Sequence, residues 1–218
     1  MCKMNSFEEM KEKDQIQPFF SIWLNPKKTV RFVLEEKSIG YAIMFAILSG
    51  IAGSFIGILD TELYPMLPIW GIVLLCTLLG PIFGLLSVSV SSLVVWLFGK
   101  LFGGQATYKE MFKGLSIGGI PEIWLFPFMF IWMAFSPVTY FKNDIVPGDV
   151  SFTIIAVVAS IASIVIGIWQ IVINVAIVSE VHRFSTWRAV FTIFIPGIIL
   201  VITLIMIVGI ILVVFLGL

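Results

Sequence analysis

Apolar residues occupy five unbroken stretches of this 218-residue chain, at 39–59, 70–99, 114–135, 151–179 and 189–217. Each exceeds the ~20 residues that a helix needs to cross ~30 Å of hydrocarbon. Backbone groups in lipid must pair within their own segment, which selects helices over an open sheet. The pattern therefore predicts an all-α fold, a polytopic transmembrane bundle of five helices occupying residues 39–218. The runs that start at 70, 151 and 189 are long enough that they must tilt, kink or emerge into the headgroups. Pro81 and Pro196 offer places for a kink.

Two segments of different character precede the first run. Residues 1–15 form a polar tail that lacks the apolar h-region of a cleavable signal peptide, and Cys2 reads as an ordinary tail residue. Residues 16–38 begin with Pro18-Phe19-Phe20-Ser21-Ile22-Trp23-Leu24, apolar and aromatic but too short to span. Asn25-Pro26 then reads as an N-cap with proline at the first helical position. Val30, Val33 and Leu34 follow on one side, with Lys28, Arg31 and Glu35 largely elsewhere. That arrangement predicts an interfacial amphipathic helix on the cytoplasmic leaflet.

Composition excludes several classes. Only 12% of residues are charged and 60% are hydrophobic, against roughly 25% charged in soluble domains. A soluble enzyme, a disordered protein and a nucleic-acid binder are all ruled out. Net charge is zero, yet the placement of the cations is strongly asymmetric. Twelve of the 13 Lys and Arg residues fall in 1–38, 100–113 and 180–188, and the alternate connections 60–69 and 136–150 hold one, Lys142. The positive-inside rule then puts the N-terminus in the cytoplasm and the C-terminus on the outer face. Trp23, Tyr41, Trp96, Tyr108 and Trp187 fit the inner aromatic belt, and Tyr64, Trp70, Trp132 and Tyr140 the outer one.

Close packing, not apolar burial, holds helices together in lipid, so small residues should mark the faces that meet. They recur at Ala46, Gly50, Gly53 and Gly57, at Gly80, Gly84, Ser87 and Ser91, and at Ala156, Ser160, Ser163 and Gly167. Each stripe steps by four, three and four, the spacing of a left-handed seam. Helices one, two and four are thus expected to form the tight centre. The outer half of helix five, with its large aliphatic residues, should face lipid.

One charged residue, Glu122, lies within the five runs. An ionisable group at that depth invites a functional reading as a proton relay, ion site or substrate contact. The other reading is structural, with Glu122 protonated or hydrogen-bonded and fixing helix packing. Counting ~1.5 Å per residue from the inner ends puts Ser91, Gln170 and Asn174 in the same leaflet. The expectation is an intramembrane polar layer of Ser91, Glu122, Gln170 and Asn174, with helix breaks at Pro121 and Pro196, where proline frees a carbonyl one turn earlier. At the inner face, Gly103 and Gly104 suit a tight reversal, and Tyr108 suits a headgroup anchor. His182 and Arg183 lie in a charged connection fit to meet anionic lipid or a partner.

Catalytic motifs are missing. The glycines at 99–104 lack the glycine, lysine and Ser/Thr order of a phosphate-binding loop. A single histidine and two cysteines without C-x-x-C spacing give no metal or cofactor site. No G-x-S-x-G or H-E-x-x-H occurs.

Three blocks carry a family resemblance: Gln17 through Arg31, centred on Phe19-Phe20-Ser21-Ile22-Trp23-Leu24-Asn25-Pro26; Lys100-Leu101-Phe102-Gly103-Gly104-Gln105-Ala106-Thr107-Tyr108 followed by Ile120-Pro121; and Trp169 with Ser179-Glu180-Val181-His182-Arg183-Phe184 and Ile195-Pro196. In this order they resemble the Yip (Ypt-interacting protein) domain family of five-helix integral membrane proteins. The resemblance covers roughly residues 17 to 210 and implies five crossings from a cytoplasmic N-terminus. Eukaryotic members are associated with Rab-type GTPases and with shaping transport vesicles. They carry long cytosolic N-terminal regions, whereas 38 residues precede helix one here. The pattern is closer to compact bacterial members, which implies a bacterial cytoplasmic membrane. The expected function is a non-enzymatic, membrane-organising or partner-recruiting scaffold with a cytoplasmic working face. Its partners would be the bilayer and a membrane or cytoplasmic protein, not nucleic acid. The alternative is a small transporter or permease component that uses Glu122 for proton or cation coupling.

Overall fold

Capping chemistry sets where the helices of this chain begin and end. In the computed structural model, which describes residues 16–142 and 150–216, they follow as α1 (Pro18–Ser21), α2 (Pro26–Glu36), α3 (Ile39–Gly57), α4 (Leu63–Met66) and α5 (Ile69–Leu101). Then come α6 (Tyr108–Gly118), α7 (Ile120–Phe135), α8 (Pro137–Lys142), α9 (Val150–His182) and α10 (Thr186–Leu216). No strand occurs among the described residues. Five stretches are long and apolar enough to cross a membrane: α3, α5, α6 with α7, α9 and α10. The fold is an all-α bundle with five candidate membrane spans. The polar tail expected at 1–15, with Cys2, lies outside the described residues.

The third span departs from its expected bounds. It starts at Tyr108, not at 114, because Thr107 and Glu110 form a capping box. The Thr107 backbone N–H donates to Glu110 Oε2 at 2.7 Å, and the Glu110 N–H donates to Thr107 Oγ1 at 3.3 Å. Together these pair two N–H groups that the first turn would leave orphaned. The expected loop 100–113 is therefore half helix. The span then breaks at Gly119, and Pro121 opens α7 in its first turn. Pro196 behaves differently. It lies inside α10, which continues as one helix, so the break expected there is not found. A proline removes one backbone bond, and the apolar helix on either side carries the path through. The connection expected at 180–188 also shortens, to residues 183–185, since α9 runs on to His182.

Glycine contact fixes the centre of the bundle. A Cβ built on Gly50 would overlap the Gly80 carbonyl oxygen and Gly84 Cα, and one on Gly80 would sit 2.7 Å from Ile51 Cα. The backbones of α3 and α5 therefore touch directly. The expected partnership of helices one, two and four needs correction. The third span, not the fourth, completes the centre, with α6 and α7 packing against both α3 and α9. Ser160 and Gly167 of α9 are exposed, and a Cβ on Gly167 would meet nothing within 4 Å. The close approaches belong instead to Gly114, where a built Cβ would sit 2.9 Å from Ile177 Cγ2, and Gly119, where one would sit 2.6 Å from Ser49 Cβ. Ile198 through Ile202 of α10 are all exposed, as are Leu204 through Val208, in keeping with a peripheral, lipid-facing helix.

The amphipathic helix α2 also differs from expectation. Val30 and Val33 are fully buried and cluster with Met111, Ile177 and Val181, so its apolar stripe covers the bundle end and not the lipid. Buried Lys113 secures it: Nζ donates to the Val33 and Leu34 carbonyls at 3.2 and 3.0 Å. Both carbonyls belong to the last turn of α2: that of Leu34 is one the helix leaves unpaired, and that of Val33, which accepts the Lys37 N–H, takes the lysine as a second donor. Pro26 stands at the first helical position, and Asn25 makes no side-chain cap bond.

Two consequences are measurable. Gly84→Leu should lower stability by about 1–3 kcal/mol or more through overpacking, and Gly167→Leu should stay within about 0.5 kcal/mol, both read by unfolding in mixed SDS and dodecyl maltoside micelles. Lys113→Ala should speed hydrogen exchange over residues 26–36 by an amount equivalent to about 1–3 kcal/mol.

Candidate functional site

Glu122 occupies the first turn of α7, just past the break at Gly119. Its Oε1 accepts a hydrogen bond of 2.9 Å from Gln170 Nε2, and the same nitrogen donates to the Gly118 carbonyl at 3.3 Å. Asn174 lies one turn along α9, with its Oδ1 buried against Gly118. Ser91 is exposed on α5. All four residues expected in the polar layer line one cavity of about 550 Å³ between α3, α5, the third span and α9. Ser49, Ser54 and Ser87 line it as well, and sequence reasoning did not single out the first two. Helix one was read for its glycines, though Ser49 and Ser54 flank the same stripe. Pro121 adjoins this cavity through Glu122, and Pro196 is elsewhere, half-buried on α10.

The other expected residues gather at the basic end of the bundle. Gly103 has φ +82°, a left-handed conformation that glycine adopts without strain. Gly104 donates its N–H to the Gly99 carbonyl at 2.8 Å. The His182 ring is fully buried and wedged against Gly99 and Gly104, where a Cβ on either would overlap it. Among the described residues neither ring nitrogen of His182 meets a partner in good hydrogen-bond geometry, and its carbonyl accepts from the Gln105 N–H at 3.1 Å. His182 thus acts as a packing element between α5 and α9, not as a surface residue of a charged loop. Tyr108 begins α6 and does not sit in a loop; its hydroxyl donates to the Ser89 carbonyl at 3.4 Å. Arg183 is exposed with φ 56°, at the reversal between α9 and α10.

A second, polar groove of about 810 Å³ opens at this end, lined by Lys27, Arg31, Glu110, Glu180, Arg183 and Ser185 among others. Arg31 spans one wall, with Nε and Nη2 donating to Glu180 Oε1 at 2.9 and 2.5 Å. That hydrogen bond, with the Glu180 charge behind it, holds the Arg31 guanidinium still more firmly protonated than usual. The intramembrane cavity and the basic-end groove are separate, and the expected residues divide between them. Among the described residues no group of three or more His, Cys, Asp or Glu is placed to hold a metal ion.

Comparison with known proteins adds one firm result. No curated protein and no solved structure matches the chain. The family model of the Yip1 domain matches residues 20–216, which takes in α2 through α10 and both grooves. With five apolar spans on the same residues, the chain is an integral multi-pass membrane protein and belongs to the Yip1 domain family.

Proposed function

We propose that this protein is a non-enzymatic scaffold that recruits a protein partner to the membrane through the basic end of its bundle. That end faces the cytoplasm in this reading, on the strength of twelve basic residues against one, and the membrane is a bacterial cytoplasmic membrane. The observation that carries the reading is the docking of α2. Lys113, Arg31 and the buried Val30 and Val33 fasten α2 to α6 and α9, so three elements distant in sequence form one prearranged surface. A rigid surface loses little conformational entropy when a partner binds. Its groove holds cations and carboxylates side by side, which suits a polypeptide segment carrying both signs. Phe20, Leu24 and Trp187 are well exposed at the same end, where they would settle among the headgroups.

The competing reading, a small transporter or permease component in which Glu122 couples to a proton or cation, draws on the intramembrane cavity alone. Proton flux in proteoliposomes that Glu122→Gln abolishes would select it.

The scaffold makes two specific demands. In a background without Cys2 and Cys76, an impermeant maleimide added to intact cells should label Thr61→Cys, and should label Arg183→Cys only after permeabilisation. A photo-crosslinking residue at Lys27 or Arg183 should capture the same discrete protein in native membranes. Arg31→Glu, which sets like charges across the groove wall, should cut that capture several-fold, and a probe at Trp70 should capture none. Labelling of Arg183→Cys in intact cells would defeat the proposal.

A further inference from the structure

The cavity around Glu122 is furnished with acceptors and lacks a donor of charge. Glu122 Oε1 is satisfied by Gln170, but Oε2 points toward Gly53, 3.2 Å from the position that a Cβ there would take. Asn174 Oδ1 is packed against Gly118 with no hydrogen-bond partner among the described residues, and adds a second acceptor behind the cavity wall. Gln170 uses its amide N–H groups on Glu122 and the Gly118 carbonyl, so it orients the carboxylate and offers the cavity no further donor. Among the described residues, no Lys, Arg or His lines the space. The break at Gly119 sets Glu122 in the first turn of a helix, where the helix dipole favours a negative charge. A carboxyl group kept ionised in hydrocarbon needs a positive partner, and the described residues lining this cavity supply none.

The remainder of the cavity is mainly apolar, with the hydroxyl-bearing residues Ser49, Ser54, Ser87 and Ser91 along its walls. Along α5 it runs from Leu75 to Ser91, about 24 Å at ~1.5 Å per residue. Leu75, Leu79 and Phe83 are exposed on a membrane-spanning helix, so the mouth of the cavity faces hydrocarbon. A bare metal ion would leave this long apolar arm unused. The outer part is kept open by glycine, and a Cβ on Gly57 would meet nothing within 4 Å. The volume of about 550 Å³ falls within the range of sites for small organic ligands.

We propose that this cavity binds a membrane-dissolved amine, its ammonium group donating to Glu122 Oε2 and its apolar chain lying along Leu75, Leu79 and Phe83. An ammonium carries three donors and no acceptor, and a charge-assisted bond to a carboxylate is about twice as strong as a neutral one. The site admits its ligand from the bilayer, sideways between α5 and α9. It is independent of any partner at the basic end, and either site can fail alone.

The test uses the full chain in phosphatidylcholine nanodiscs and radiolabelled dodecylamine, with empty discs as the background. Binding should be saturable, and unlabelled dodecylamine should displace the label at least tenfold more effectively than dodecanol. Glu122→Gln should weaken binding tenfold or more. Gly57→Leu, which fills the outer arm and leaves the Glu122–Gln170 pair untouched, should weaken it as well. Should Glu122→Gln fail to fold, Gly57→Leu decides the matter, and undiminished binding in that variant overturns the proposal. Equal competition by dodecanol would overturn it too. So would displacement by sodium chloride but not by choline chloride, which would assign the carboxylate to a bare cation.

Discussion

Direct backbone contact between α3 and α5 is the constraint on which the rest of the bundle depends. Leucine gains little by leaving lipid for another leucine, so helices in a bilayer hold together where their surfaces come closest. Gly50, Gly80 and Gly84 let two helix backbones meet without side chains between them. That contact adjoins the intramembrane cavity, because Gly53 and Gly57 continue the same stripe of α3 and line it, Gly53 beside Glu122 and Gly57 with open space before it. The third span then lies across both helices, with Gly119 fitted against Ser49. A side chain at Gly50 or Gly84 would separate the pair and displace Glu122 along with it.

Much of this was legible in the sequence. Five apolar runs gave five spans because hydrocarbon thickness imposes a length that few soluble elements reach. Depth counting brought Glu122, Gln170 and Asn174 to one level because helical rise is nearly constant, and Gln170 does bond to Glu122. The glycine stripes of helices one and two identified their own contact. The equivalent stripe in helix four misled, since small residues show that close approach is possible without saying that a neighbour is present; Gly167 has none within reach. Gly114 and Gly118, four residues apart, carried the true signal for the third span. They were obscured by Lys109, Glu110 and Lys113, which broke the apolar run.

The amphipathic helix shows a different limit. Its pattern of Val30 and Val33 against Lys28 and Arg31 is what either a headgroup layer or a protein surface would select, and a hydrophobic stripe does not name its solvent. The missing clue was Lys113, a cation buried at the end of an apolar span. A lysine there needs oxygen partners, and the last-turn carbonyls of α2 supply them. His182 is a similar case: its position between charged residues suggested exposure, whereas the absence of a Cβ at Gly99 and Gly104 lets its imidazole pack inward between them.

The third span is severed at Gly119, but α9 is not severed anywhere along Val150–His182. One uninterrupted rod therefore bears Glu180 at the polar groove and, ten residues away, Gln170 at the carboxylate within the bilayer. A broken beam dissipates a push, and a straight one delivers it. If the two ends of this molecule are mechanically linked, the linkage runs through α9, and a rotation about its axis moves the Arg31 tether and the Glu122 amide partner in the same stroke.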